Sequence, residues 1–240
     1  MKEIIVMSLG GSLIVPEHID TAWIDNFKRT IISLSKKYKF VIVCGGGFVA
    51  REYITILKEE NKNKKQQSLA GIQVTRMNAK VMTEIFGKIA NSQIPLEMKH
   101  VKSMLSKNEI VFCGALRYAP NQTSDSTAAK LAQYLKSKFI NITNVDGLYT
   151  SNPLKHKDAK FIEKISWIEF EKRTLEIKYK PGQHFVLDQK AAKIIKKHKI
   201  TTYILGKNLN NLKNMLNNKK FKGTTIKDYN ISKSSKYFNH

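Results

Sequence analysis

Residues 38–51 read YKFVIVCGGGFVAR. Phe40 to Cys44 is an unbroken apolar run of strand length, and it ends abruptly in Gly45-Gly46-Gly47. Val49, Tyr53 and Leu57 then recur at helical spacing. The opening of the chain repeats the plan: residues 3–9 form a short, mainly apolar run, Gly10-Gly11-Ser12 follows, and Trp23, Phe27, Ile31 and Leu34 mark a helix with Lys36 and Lys37 at its end. Continuous apolar strands alternating with helices indicate a parallel sheet covered on both faces. In such sheets, ligands bind at the strand C-termini, where both glycine clusters fall.

Further along, Val74, Met77, Val81, Ile85 and Ile89 suggest a helix over 72–89, after an exposed polar stretch at 61–67. Strands are expected at 109–113, 139–143 and Ile200–Leu205, and a final edge strand at Gly223–Ile226. Asp125 opens a helix, 166–173, 186–198 and 208–217 read as helices, and NVDGLYTSNP is turn-rich. The tail from Lys227 is polar and expected to fray.

The chain of 240 residues has room for a large α/β core. No apolar run approaches the ~20 residues that span a bilayer, and the opening MKEIIVMSLGGS reads as strand and turn, not as a signal peptide. Cys44 and Cys113 each end an apolar run before a glycine, which suits buried thiols in a reducing, cytoplasmic compartment. The formal charge is +23, but arginine occurs only at 29, 51, 76, 117 and 173. Lysines are spread along the chain without interleaved aromatic rings, so the excess reads as a solvated basic surface rather than a nucleic-acid platform. It still favours anionic small molecules by steering.

Three places carry chemistry: Gly10-Gly11-Ser12, Gly45-Gly46-Gly47 with Arg51 one helical turn on, and Thr123-Ser124-Asp125 entering a helix. Each brings small residues to a helix N-terminus, where unpaired N–H groups favour phosphate and glycine lets an oxyanion approach. The sequence lacks both G-x-G-x-x-G and G-x-x-x-x-G-K-[ST], which argues against a dinucleotide fold and a P-loop. Two glycine clusters at adjacent strand ends suggest two phosphorylated ligands meeting face to face, as phosphoryl transfer requires. A phosphate acceptor needs no general base. Read alone, Arg51 also fits a surface ion pair, Asp125 a helix N-cap, Tyr149 ordinary packing and Asp188 a surface carboxylate.

The ordered series SLGGS, CGGGFVAREYI, GIQVTRMNA, TSDSTAA, ITNVDGLYTSNP, VLDQKAAKII and GTTI resembles the amino-acid kinase superfamily over residues 9–226, and within it the archaeal uridylate kinases. The resemblance implies a three-layer α/β/α sandwich with a mainly parallel central sheet, the carbamate kinase-like fold. It implies a single domain over 1–226, with the acceptor side roughly 1–136, the ATP side roughly 137–226 and a polar tail at 227–240. It further implies ATP and UMP as substrates, Mg2+ carried with ATP, a role in pyrimidine nucleotide biosynthesis, a homohexamer and inhibition by UTP.

Carried over by the same resemblance, Gly10, Gly11, Ser12, Gly47, Arg51, Thr143, Asn144, Tyr149 and Asn152 would serve ATP. Gly45, Gly46, Ser68, Gly71, Thr123, Ser124 and Asp125 would serve UMP. Asp188 and Arg51 would stand at the reaction centre, and no residue is expected to form a dedicated metal site. Asp146 and Gly147 read as a turn pair, and Arg76 lies on the helix that faces the acceptor side in the family.

The chain departs from the family pattern in several places. Ser8 stands where many members have lysine, and Phe185 where bacterial uridylate kinases have another, with Lys190 either a replacement source of charge or a solvent-facing lysine. Ser68 replaces an acidic residue expected at the UMP ribose, and the acceptor loop Ala115–Gln122, with Arg117 and Tyr118, is about two residues longer than usual. Asn152-Pro153 replaces a DP pair. These differences leave open a different acceptor on the same fold, or a protein that binds nucleotides without turnover.

Overall fold

A computed structural model describes residues 2–119, 123–151, 153, 156–176 and 186–229. Seven strands form its central sheet: β1 (Glu3–Leu9), β2 (Tyr38–Cys44), β3 (Ile110–Cys113), β4 (Lys138–Ile142), β7 (Lys164–Ser166), β8 (Thr202–Leu205) and β9 (Thr224–Lys227). Their spatial order is β3-β2-β1-β4-β8-β9-β7, and a separate hairpin joins β5 (Leu148–Tyr149) to β6 (Phe161–Ile162). The β3-β2-β1-β4-β8 stretch is parallel throughout; β9 runs antiparallel to β8, and β7 parallel to β9. The Gly223–Ile226 strand therefore exists but is not the edge. Lys164–Ser166 covers it, a three-residue strand too short to show as a periodic run.

The strands are apolar on both faces because each face meets helices. Ile5, Met7, Leu9, Phe40, Ile42, Ile110, Phe112, Ile140 and Ile142 point to one core, shared with α1 (Gly11–Ile14), α2 (Thr21–Leu34), α4 (Lys64–Phe86) and α9 (Leu209–Leu216). Val6, Val41, Val43, Val111, Cys113 and Phe139 point to the other, under α5 (Met98–Lys107), α6 (Ser124–Leu135), α7 (Trp167–Glu176) and α8 (Gln189–Lys197). Strand periodicity of two assigns alternate residues to the two layers. α3 (Gly47–Glu59) lies mainly against α4, and a single 3-10 turn spans Gly87–Ile89.

Two helices depart from the expectation. α4 begins at Lys64, so most of the polar 61–67 stretch is helical; Asn63 and Gln66 form a reciprocal capping box that starts it, a device worth about 1 kcal/mol. The outward side of α4 carries Met77 at 64% exposure and Val81 at 46%, while Ile72, Thr75, Asn78, Ala79, Met82 and Phe86 face the core. The apolar stripe visible in the sequence is thus partly an outer face, because small and polar residues occupy the tight contact with the sheet. α5, unmarked by a clear sequence signal, buries Val101 and Leu105. Cys44 and Cys113 are free and buried, and burial pushes both thiols up, Cys113 to about 12. Pro181, Gly182 and Phe185 lie outside the described residues.

Candidate active site

The registers Leu9↔Cys44, Leu9↔Ile142 and Ile142↔Leu205 bring four parallel strands to a common level, and β3 ends one residue lower at Val43↔Cys113. The next residues are Gly10, Gly45, Gly114, Thr143 and Gly206, so the rim of the sheet is almost pure backbone. The ladder runs one step into it: Gly10 N–H donates to Ile142 O, Gly45 N–H to Leu9 O and Thr143 N–H to Leu205 O, each at 2.9 Å.

The two glycine corners interlock. A Cβ on Gly11 would stand 2.0 Å from Gly47 N and 2.7 Å from Gly46 N, and one on Gly45 would stand 2.5 Å from Gly11 N. Gly47 adopts φ +67°, a left-handed conformation, and a Cβ there would stand 2.4 Å from Gly11 O. The expectation of two neighbouring cradles becomes a more intimate arrangement: each backbone forms a wall of the other. Gly46 caps α3, so its first turn opens at this corner, with the Phe48 N–H already donating to Val15 O at 3.1 Å. Arg51 is exposed on α3 and makes no ion pair among the described residues, so the surface-pair alternative has no partner there.

A polar cluster stands beside Gly10-Gly11-Ser12. Ser8, wholly buried on β1, donates from Oγ to Asp125 Oδ1 at 2.6 Å. Asp125 is not the cap of α6. Thr123 takes that place, accepting from Ser126 N–H while Ser126 Oγ accepts from Thr123 N–H, and Ser124 and Asp125 lie in the first turn. Thr123 Oγ1 also donates to Asp188 Oδ2. Asp188 caps α8, its Oδ1 accepting from the backbone N–H groups of Lys190 and Ala191, so it belongs to a helix end that meets α6 rather than to open surface. Burial, then the nearby Asp188 charge, push the Asp125 carboxyl up to about 7, with the Ser8 hydroxyl pulling the other way. Lys130 on α6 is held below its usual range by burial and by Lys190. Sequence reading missed the Ser8–Asp125 bond, since its partners are 117 positions apart.

On the other side of the rim, Thr143 and Asn144 leave β4, with Thr143 Oγ1 donating to Asn144 Oδ1 at 3.3 Å. Asp146 pairs with Lys222 at 2.6 Å, and Gly147 packs on Thr224, whose hydroxyl accepts from Leu148 N–H at 2.7 Å. The GTTI segment thus anchors the NVDGLY loop. Tyr149 packs edge-on to Phe161, ring centroids 5.2 Å apart. Ser68 lies in the second turn of α4, and Gly71 lets that helix approach Ile54 of α3, where a Cβ would stand at 3.2 Å. Asn152 lies outside the described residues.

A rim of bare backbone, with helix N-termini opening at it and carboxylates and lysines to one side, suits phosphoryl groups, and it places the chain among the phosphotransferases. The chain belongs to the amino acid kinase family, whose model matches residues 3–206. It is 34% identical over 204 residues to the uridylate kinase of Thermococcus kodakarensis, covering 85% of this chain and 90% of that one. It is 34% identical over 229 residues to the uridylate kinase of Thermoplasma volcanium, covering 95% and 99%. The crystal structure of uridylate kinase from Archaeoglobus fulgidus superposes with a TM-score of 0.79 at 32% identity, covering 94% of this chain and all of that one. The UMP kinase of Bacillus anthracis, at 17% identity and TM-score 0.77, shares the fold.

Proposed function

We propose that this protein transfers the γ-phosphoryl group of ATP to UMP, giving ADP and UDP for pyrimidine nucleotide synthesis. The observation that carries the reading is the interlock of Gly11 with Gly45–Gly47, which leaves no side chain between the ends of β1 and β2. Phosphates held on the two backbones meet in line, and the acceptor phosphate is itself the nucleophile. Gly10, Gly11, Ser12, Thr143, Asn144 and Tyr149 form the ATP side in this reading. Gly45, Gly46, Ser68, Thr123 and Ser124 form the UMP side, with Gly47 and Arg51 between. Similarity to archaeal uridylate kinases over most of both chains supports it.

Magnesium fits as a passenger of ATP. Among the described residues no group of three or more His, Cys, Asp or Glu side chains is placed to hold a metal ion. The Asp188 and Asp125 carboxylates and the Thr123 hydroxyl are hard oxygen donors of the kind that meets Mg2+ already held by phosphates. When bound, the ion neutralises charge on the β- and γ-phosphates.

The test is ADP release with UMP, CMP, AMP and GMP as acceptors. Rapid turnover of UMP alone is expected, with Arg51→Ala losing most of it; fast turnover of another acceptor while UMP is ignored would overturn the assignment. Binding of ATP and UMP with no UDP formed would select a non-catalytic role instead. UTP is expected to inhibit by occupying the UMP side.

Self-association as a homohexamer belongs to the same proposal. Tyr53, Ile56, Met77 and Val81 form an apolar outer face on α3 and α4, 46–64% exposed. Sedimentation should show a hexamer, and Ile56→Ser with Met77→Ser should yield smaller species; an unchanged hexamer would exclude this face. Among the described residues no helix is long and apolar enough to cross a membrane.

A further inference from the structure

Thr75, Arg76 and Asn78 have no part in the reading above, although they sit in the GIQVTRMNA segment. All three reach from α4 to the backbone at the sheet rim. Thr75 Oγ1 donates to Ile72 O at 2.7 Å and accepts from Ala115 N–H at 2.9 Å. Arg76 Nε donates to Ala115 O at 3.2 Å, and its Nη2 donates to Leu116 O. Asn78 Nδ2 donates to Gly45 O at 2.8 Å and to Gly46 O at 3.3 Å. Gly114 completes the contact: a Cβ there would stand 2.6 Å from Arg76 N and from Thr75 C.

One turn of one helix therefore grips two separate backbones. Asn78 holds the glycine corner after β2, and Thr75 and Arg76 hold the start of the loop after β3. The ladder between those strands stops at Val43↔Cys113, so beyond that level the sheet no longer fixes their spacing. A helix rises 1.5 Å per residue and barely stretches. Donors attached to one turn hold the two backbones at a set separation past the last ladder pair.

We infer that Thr75, Arg76 and Asn78 form a brace that sets the distance between the Gly45–Gly47 corner and the loop at Ala115–Arg117, making Arg76 a positioning residue for the phosphate-bearing acceptor. The inference rests on the assignment of that loop to the acceptor side. Arg76 is half-buried and makes no ion pair with a carboxylate among the described residues, so its positive charge stays unneutralised beside the loop. A planar guanidinium presents donors from separate nitrogens in a fixed fork, here matched to two successive carbonyls, whereas an ammonium presents all its donors from one point.

Hydrogen exchange on the nucleotide-free protein tests the brace without activity. Arg76→Ala should speed exchange roughly tenfold in a peptide over 114–119 and leave 44–47 unchanged; Asn78→Ala should do the reverse. Thr75→Val keeps its shape, drops the hydroxyl and should free the Ala115 amide, which serves if Arg76→Ala fails to fold. In steady-state assays Arg76→Ala should raise the UMP KM about tenfold and keep the ATP KM within twofold, and Arg76→Lys should fall between it and the parent. Unchanged exchange over 114–119 in both Arg76→Ala and Thr75→Val overturns the brace, as does an equal rise in both KM values. If exchange responds as expected while UMP is never turned over, the brace stands and the acceptor assignment falls.

Discussion

Asp125 couples folding to pH in a way that one substitution isolates. Its carboxyl sits against wholly buried Ser8 and near Asp188, and its pKa rises from an ordinary 3.8 to about 7. A carboxyl that holds its proton longer when folded contributes stability that is complete below the unfolded value and is lost as pH climbs through the folded one. Between pH 5 and pH 8 that loss spans roughly two units, a ceiling of about 3 kcal/mol at 1.36 kcal/mol per unit. The side chain keeps some solvent contact, so about half of this, ~1.5 kcal/mol, is the working figure. Asp125→Asn retains an acceptor for Ser8 and removes the titration. Urea unfolding followed by circular dichroism at fixed protein concentration, at pH 5 and pH 8, should show the parent losing ~1.5 kcal/mol more than the variant. Titrating groups that do not interact with Asp125 cancel in that difference. Parallel stabilities for the two proteins, or a variant less stable at pH 8, would refute the argument that burial and Asp188 govern this carboxyl.

Gly11→Ala should cost more than about 3 kcal/mol or prevent folding, because the new methyl would meet the backbone of Gly47 at 2.0 Å and neither strand end can retreat; a parent-like thermal melt would contradict the interlock. Thr224→Val removes the acceptor of Leu148 N–H and the donor to Ile162 O, so it should destabilise the NVDGLY loop by about 1–3 kcal/mol and raise the ATP KM more than the UMP KM.

Much of the architecture is written locally. An apolar run such as Phe40–Cys44 cannot be half-exposed, so a sheet covered on both faces follows from the run itself. Its glycine ending likewise marks where the strand stops at the rim of the sheet. α4 was less legible, since its sheet-facing side uses Thr75, Asn78 and Ala79 beside apolar residues, while Met77 and Val81 of the apolar stripe face outward and Val74 and Ile85 of the same stripe face the core. β7 and α5 were missed for want of length or pattern. The fate of Asp125 shows the limit at the site: from the sequence it reads as a cap or a ligand, but Thr123 is the cap and Asp125 reaches across to Ser8.

By itself, then, the amino-acid sequence determined the layers, the succession of strands and the glycine clusters that crown them, because each depends on neighbours within a turn or a strand. Only the tertiary structure decided that Gly11 presses into Gly45–Gly47, that Ser8 answers Asp125, that Arg76 spends its donors on Ala115 and Leu116, and that β9 lies inside the sheet. Those contacts join residues far apart in the chain. Their formation turns on strand order and register, which are settled by how both cores pack at once and leave no mark in any short stretch of residues.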